Sequence, residues 1–291
     1  MKVVILCGGL GMRLQQETEF RPKPLVEIGG RPILWHIMKM YAYCGFREFI
    51  LCLGYRGNMI KDYFLNYEAI NNNFTIHLGK NHRLDYHDEH EEQDFRITLA
   101  DTGLDVQTGS RVARVRRYLG DDDAFMVSYG DGVADLDVRG LLEFHNAHGR
   151  IATVTTVRPV TRWGVIESEP SGRVARFSEK PQVEGWVSIG HFVFDRRIFD
   201  YLREDPDLVL EGEPMERLVQ DGQLMAYRHE GFYHAMDTYR EFKLLNDMWD
   251  AGNAPWRTWG RPDASGPPSH GLAAGGRMSQ ASRALGPDRG D

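Results

Sequence analysis

Hydrophobic and polar positions follow two different periods along the first half of the chain. Apolar runs at Lys2–Cys7 and Glu48–Leu53 predict strands buried on both faces, and Phe95–Leu99 and Phe125–Tyr129 predict two more. Between them, Ile33–Cys44 repeats apolar residues at helical spacing through Ile33, Ile37, Met40 and Tyr41. Asn58–Tyr67 does the same through Ile60, Tyr63, Phe64 and Tyr67, and Val138–His148 reads as a further helix. Strands alternating with helices imply an α/β fold, a mostly parallel sheet with helices on both faces.

The second half changes character. Ala152–Arg158, Gly164–Glu167, Val174–Ser178 and Trp186–Phe194 predict short strands joined by turns, a smaller β-rich portion able to cover a second ligand. Helices return at Arg197–Leu202, Pro214–Gln220 and Tyr239–Ala251. The pattern suggests one unit over residues 1–259, with a first half to about residue 150 and a second from about 151. From Gly260 to Asp291 the chain turns to Gly, Pro, Ser, Ala and Arg, too poor in large apolar groups to offset its ordering entropy, so a disordered tail is expected. The polar stretch Gly79–Gln93 is expected to be a solvated acidic loop. Its His87 and His90, beside Asp88 and Glu89, lack the spacing of a closed metal site.

Composition narrows the partners. The 291 residues are 42% hydrophobic and 26% charged, ordinary globular values. A net charge of −7 argues against nucleic acid or an anionic membrane, so any anion must be held by a local basic pocket. Three cysteines, Cys7, Cys44 and Cys52, sit in apolar stretches and cannot all pair, which points to buried, reduced thiols and a cytoplasmic protein. No segment approaches the apolar length of a membrane span.

The chemistry begins where the first strand ends. Gly8, Gly9 and Gly11 follow Val3–Leu6 directly, so the backbone can approach a ligand closely and aim N–H groups at phosphate oxygens. Arg13 and Lys23 add fixed positive charge for a triphosphate. A dinucleotide fingerprint is excluded because no glycine stands at position 14 and the next strand ends in Gly54-Tyr55; no P-loop motif occurs. Transfer between two phosphates calls for a divalent ion on one or two carboxylates. Asp131, flanked by Gly130 and Gly132 after a strand, and Asp237, before the last helix, are the candidates. Each also fits a structural role, Asp131 in an Asp-Gly turn and Asp237 as a helix cap, a part open to Thr238 too. Arg111 belongs to a run in which 111, 114 and 117 share one helix side while Val112, Val115 and Leu119 share the other, the pattern of a basic solvent face.

Together these residues resemble the sugar-1-phosphate nucleotidylyltransferases. Gly8–Leu14 with Arg21-Pro22-Lys23-Pro24 is similar to the family's signature loop, and Gly130-Asp131-Gly132 and Glu179-Lys180-Pro181 follow in the expected order. Over about residues 1–259 the likeness is to the glucose-1-phosphate cytidylyltransferase branch, through Val26–Lys39, Asp101-Thr102-Gly103, Gln107-Thr108-Gly109, Asp131–Asp135 and Ala254-Pro255-Trp256. The resemblance implies CTP and a sugar 1-phosphate as substrates, CDP-sugar and pyrophosphate as products, Mg²⁺ as cofactor and a homo-oligomer. It assigns the nucleotide to Leu6, Gly8, Gly9, Gly11, Met12, Arg13, Lys23, Arg111, Gly130 and Asp131. It assigns the metal to Asp131 and Asp237, and catalysis to Arg13, Lys23, Asp131 and Lys180. The acceptor falls to Glu179, Lys180, Ser188 and Gly190.

Two departures bear on specificity. The family usually has threonine where Met12 stands, and Asn-Gly-Gly with an aromatic where Ser188-Ile189-Gly190-His191 stands. That asparagine normally bonds a sugar hydroxyl, so a different acceptor, such as a modified sugar, a cyclitol phosphate or a phosphonate, is an alternative. Use of dTTP, UTP or GTP is another. A non-catalytic regulatory paralogue is disfavoured because Arg13, Lys23, Asp131, Lys180 and Asp237 are all present.

Overall fold

The computed structural model describes residues 1–11, 14–79, 83–161, 163–179, 181–182 and 185–259. Seven strands form the central sheet: β1 (Val3–Cys7), β2 (Glu48–Leu53), β3 (Arg96–Asp101), β4 (Ala124–Tyr129), β5 (Ala152–Val157), β6 (Val187–Asp195) and β7 (Leu224–Arg228). Their order is β7-β5-β6-β4-β1-β2-β3, and only β6 runs against the rest. The longer helices among the described residues are α1 (Ile33–Tyr43), α2 (Gly57–Leu65), α3 (Thr108–Arg114), α4 (Val138–His148), α5 (Glu213–Gln220) and α6 (Tyr239–Asp250).

The alternation of side chains along β1 explains the two layers. Val3, Ile5 and Cys7 enter one core with Ile33, Ile37 and Tyr41 of α1, Ile60 of α2, Leu141 of α4 and Leu245 of α6. Val4 and Leu6 face the other way, into a second core with Val112 of α3 and Leu218 of α5. Every residue of β1 is buried, so the strand has no polar face to spare, as a central parallel strand should not.

Several elements differ from the pattern-based expectation. The helix expected over Asn58–Tyr67 is α2, which ends at Leu65, followed by a short helix Tyr67–Asn71. Arg196–Asp200 is a 3-10 turn rather than an α-helix. In the expected β-rich part, β5 and β6 are integral to the central sheet, and the hairpin Val165–Ser168/Val174–Ser178 stands outside it. Their buried apolar runs are what draw them in.

The stretch Gly79–Gln93 is not simply a solvated loop. Its Arg83–Tyr86 pairs with Phe74–His77 as a hairpin, and the residues that follow dock on α1. Glu92, almost fully buried, accepts from Trp35 Nε1 and Tyr67 Oη, both at 3.1 Å. Lys39 Nζ lies 2.7 Å from Glu91 Oε2 and 3.0 Å from Glu92 Oε1. The cause is Lys39 itself: a lysine buried on α1 needs carboxylates brought to it. Cys7 and Cys52 are buried as expected, Cys44 only half so, and all three are free thiols. No helix among the described residues is long and apolar enough to cross a membrane. The expected tail, 260–291, lies outside the described residues.

Candidate active site

Strands β1 and β4 are parallel neighbours, so the glycine turn after β1 and the Gly130-Asp131-Gly132 turn after β4 emerge side by side. A cavity of about 570 Å³ opens there. Its lining includes Leu6, Gly8, Gly9, Gly11, Lys23, Arg111, Gly130, Asp131 and Asp237. Placement at the carboxyl ends of parallel strands is the usual position of a ligand crevice in such sheets.

Asp131 and Asp237 are far apart in sequence and adjacent in space. The ribbon that joins them pairs Gly132–Ala134 with Tyr233–Ala235, in antiparallel register with Gly132 opposite Ala235. Met236 N then donates to Asp131 O at 2.8 Å, which clamps the two aspartate-bearing segments together. Asp237 does not serve as the helix cap. Thr238 takes that role for α6 in a reciprocal capping box with Glu241, whose carboxylate also accepts from Asp237 N at 2.8 Å.

Between the aspartates sits Lys23. Its Nζ lies 2.7 Å from Asp131 Oδ2 and 2.7 Å from Asp237 Oδ1, and the side chain is only 11% exposed. The short 3-10 turn Lys23–Leu25, entered through Pro22, fixes its backbone. Burial disfavours the ammonium, but the two carboxylates outweigh it and raise the lysine above its ordinary pKa. Two carboxylates thus converge on a single cationic atom. Among the described residues no cluster of three or more His, Cys, Asp and Glu side chains could enclose a metal. A pair of carboxylates can share a divalent ion that completes its shell from ligand phosphates and water.

Arg111 corrects the reading of a basic solvent face. Its side chain is 4% exposed, and its guanidinium is spent on the protein itself. Nη1 donates to Thr102 Oγ1 and Gly103 O at 2.8 Å and to Leu53 O at 3.1 Å; Nη2 donates to Leu104 O at 3.1 Å and Gly8 O at 3.2 Å. The group passes so close to Gly8 that a Cβ there would collide with it. Arg111 therefore ties the glycine loop to the ends of β2 and β3.

The acceptor candidates lie elsewhere. Glu179, Ser188 and Gly190 do not line the nucleotide-sized cavity. Gly190 borders it indirectly: it holds φ +75°, and a Cβ there would strike the ring of Tyr129, which does line the cavity. Ser188 is exposed at the start of β6, and its Oγ accepts from Gly190 N at 3.3 Å. Ile189 and His191 are buried, and His191 Nδ1 meets Tyr41 Oη at 3.0 Å and Ser128 Oγ at 3.2 Å. Met12, Arg13 and Lys180 lie outside the described residues.

Residue-by-residue reading did not single out Tyr129 or the segment Leu104–Thr108 as cavity lining. Tyr129 Oη donates to Glu211 Oε1 at 2.5 Å, and Thr108 Oγ1 accepts from Leu210 N at 2.9 Å. Gln107-Thr108-Gly109 was the available signal, as one of the stretches carrying the family likeness.

The chain is similar to known proteins in sequence and in fold. A glucose-1-phosphate cytidylyltransferase of Salmonella typhi is 46% identical over 260 residues, covering 89% of this chain and 100% of its own. A probable glucose-1-phosphate cytidylyltransferase of Bacillus subtilis is 42% identical over 89% of this chain and 100% of its own. Among solved structures, HddC from Yersinia pseudotuberculosis superposes with a TM-score of 0.61 at 20% identity, over 85% of this chain and 99% of its own. That likeness concerns the fold. The family model for nucleotidyl transferases matches residues 2–257, from the strand that feeds the glycine loop to beyond the helix behind Asp237, and the chain belongs to that nucleotidyl transferase family.

Proposed function

We propose that this nucleotidyltransferase moves a cytidylyl group from CTP to a sugar 1-phosphate, glucose 1-phosphate in the first instance, releasing CDP-sugar and pyrophosphate. The observation that carries the reading is Lys23 held between Asp131 and Asp237 at the rim of the glycine-lined cavity. The cytidylyltransferases at 46% and 42% identity support the choice of CTP and glucose 1-phosphate.

Nucleotidyl transferases of this family generally use a divalent metal. We assign Mg²⁺, with Asp131 and Asp237 as the protein's share of its ligands; when bound it neutralises phosphate charge. The chain's own groups do the rest. Gly8, Gly9 and Gly11, with Leu6 and Gly130, present backbone to the nucleotide. Lys23 exchanges its carboxylate contacts for phosphate oxygens, and Arg13 and Met12 are assigned to the same triphosphate. Arg111 keeps the loop in place. Glu179, Lys180, Ser188 and Gly190 receive the acceptor. An oxygen of the sugar phosphate forms a bond to the α-phosphorus as the bond to the pyrophosphate oxygen breaks. No covalent protein intermediate is needed, so positioning and charge compensation supply the rate.

Residues 1–259 are read as one catalytic unit, in keeping with the extent of the family match. A homo-oligomer is supported by the hairpin Phe74–His77/Arg83–Tyr86, which leaves Phe74, Ile76, Leu84 and Tyr86 exposed. Three free thiols support a cytoplasmic setting. Ser188 in place of the family's asparagine favours one second reading, the same transfer to another phosphorylated acceptor.

The test is pyrophosphate release from CTP, dTTP, UTP and GTP against a panel of sugar 1-phosphates, with and without Mg²⁺. Turnover that requires Mg²⁺ and favours CTP with glucose 1-phosphate is expected. Preference for another nucleotide overturns the cytidylyl assignment, and preference for another acceptor overturns the glucose assignment.

A further inference from the structure

A second cavity, of about 510 Å³, lies beside α3 and is walled by Arg114, Arg116, Arg117 and Arg196, with Asp101 and Glu204 as its acids. None of the four arginines is ion-paired among the described residues. Arg114 Nη1 donates to Thr102 O at 2.8 Å, while its Nε is buried without an acceptor. The guanidinium of Arg116 lies over the Phe199 ring at 5.0 Å and that of Arg117 over Tyr118 at 4.8 Å. Arg196 Nη1 donates to Gly120 O at 2.5 Å and Asp122 O at 3.2 Å. Arg21, Arg173, Arg197 and Arg203, by contrast, each meet a carboxylate. A protein with 42 acids to 35 Lys and Arg has ample partners for these four, yet gathers them around one hollow with two acids.

We propose that this cavity is a binding site for a small phosphate-bearing anion, separate from the site of the transferred nucleotide. Guanidinium groups match phosphate oxygens with forked, charge-assisted hydrogen bonds, and rings beneath two of them hold their planes in place. Like charges gathered around one hollow repel one another, and an anion relieves that repulsion. The cavity is about as large as the nucleotide-lined one, so it admits a diphosphate group, whether inorganic or carried by a nucleotide. It touches the nucleotide cavity through one turn: Arg114 grips Thr102 O from this side, while Arg111 grips Thr102 Oγ1, Gly103 O and Leu104 O from the other.

The test counts inorganic pyrophosphate bound per chain by calorimetry without metal, in the unmodified protein, in Arg116→Gln/Arg117→Gln and in Lys23→Met. Two sites are expected in the unmodified protein and one in each variant. Removing both arginines should weaken the second site about tenfold or more. Because Lys23→Met removes only the first site, failure of the catalytic reading and failure of this one are separable. CTP added to the Lys23→Met protein tells the source: displacement of pyrophosphate identifies a nucleotide's phosphate tail, and its persistence identifies an inorganic anion, both in support. Unchanged binding in the double variant, with thermal unfolding also unchanged, overturns the site. So does absence of a second pyrophosphate together with dissociation of the double variant in sedimentation, which would place a second copy of the chain in the cavity.

Discussion

At the proposed nucleotide end of the candidate site, Arg111 is buried, Lys23 nearly so, and both are held by partners within the protein. At the proposed acceptor end, the elements stand open. Lys23 is locked between two aspartates, and Arg111 is bound to four carbonyls and a hydroxyl. By contrast, Val165–Ser168 is exposed throughout, Val174–Ser178 nearly so, and Ser188 projects from the exposed start of β6. On the proposed reading, the first region is preorganised for a polyanion whose charge pattern never varies. The second leaves its side chains free to be changed without disturbing a core, which is where acceptor choice can diverge at little cost to stability.

The sharpest way to break this contrast is at the two carboxylates. Asp131→Asn and Asp237→Asn are each expected to lower turnover about a thousandfold or more while leaving the unfolding midpoint close to the parent's. Pyrophosphate release and thermal unfolding of the same preparations check both halves of the statement. Near-parental turnover in either variant would remove that residue from the metal pair.

Arg111→Lys attacks preorganisation itself. A lysine ammonium cannot reproduce a planar fork gripping the ends of β2 and β3 and the glycine loop together, so buried carbonyls lose their donors. A loss of about 3 kcal/mol in unfolding free energy is expected, with a raised KM for CTP, since each unsatisfied buried carbonyl carries its own desolvation cost. Denaturant titration reads the first and steady-state kinetics the second. An unchanged midpoint would mean that the loop holds its shape without this side chain.

Arg111 also shows where sequence reasoning stops. Strands β1, β2 and β4 and helices α1 and α4 were legible because their apolar periods are strong and local. Lys23, Asp131 and Asp237 were legible for a related reason: a glycine loop, a Gly-Asp-Gly turn and a helix start each mark a backbone end near which ligands bind. A helical arginine among valines carries no such mark. Periodicity places it on a polar face, and only the assembled turns reveal that the face is a wall of carbonyls. The docking of Glu92 on Lys39, Trp35 and Tyr67 was hidden likewise, because a buried lysine and a polar insert look solvated until they are brought together. Strand β7 was missed because its short sequence, Leu224–Arg228, is only half-buried at the sheet edge and lacks a continuous apolar run.

The seam between the two regions should respond to acid. His191 on β6 contacts Tyr41 of α1 and Ser128 of β4, and burial, then the nearby His229, lowers its pKa from 6.5 to about 4. Burial likewise brings His36 down to about 4. Above pH 6.5 both are neutral in the folded and unfolded chain and add no pH dependence. As pH falls from 6.5 towards 4, the unfolded chain takes up protons that the folded one refuses, so stability declines. The slope is about 1.4 kcal/mol per pH unit for each histidine. Denaturant midpoints across this range should show it, and His191→Gln should remove its share. A flat profile would mean that the seam admits water.

The smallest effect tests the open end. Ser188→Asn restores the residue type that relatives use to bond a sugar hydroxyl, at an exposed position with room for the longer side chain. One added hydrogen bond to a neutral hydroxyl is worth about 1 kcal/mol, so kcat/KM for glucose 1-phosphate should rise about fivefold. The KM for CTP should not move, because Ser188 is absent from the wall of the nucleotide cavity. That asymmetry is the point of the experiment. A variant that shifted both substrates alike would show the two ends to be coupled, and one that shifted neither would take Ser188 out of the acceptor site.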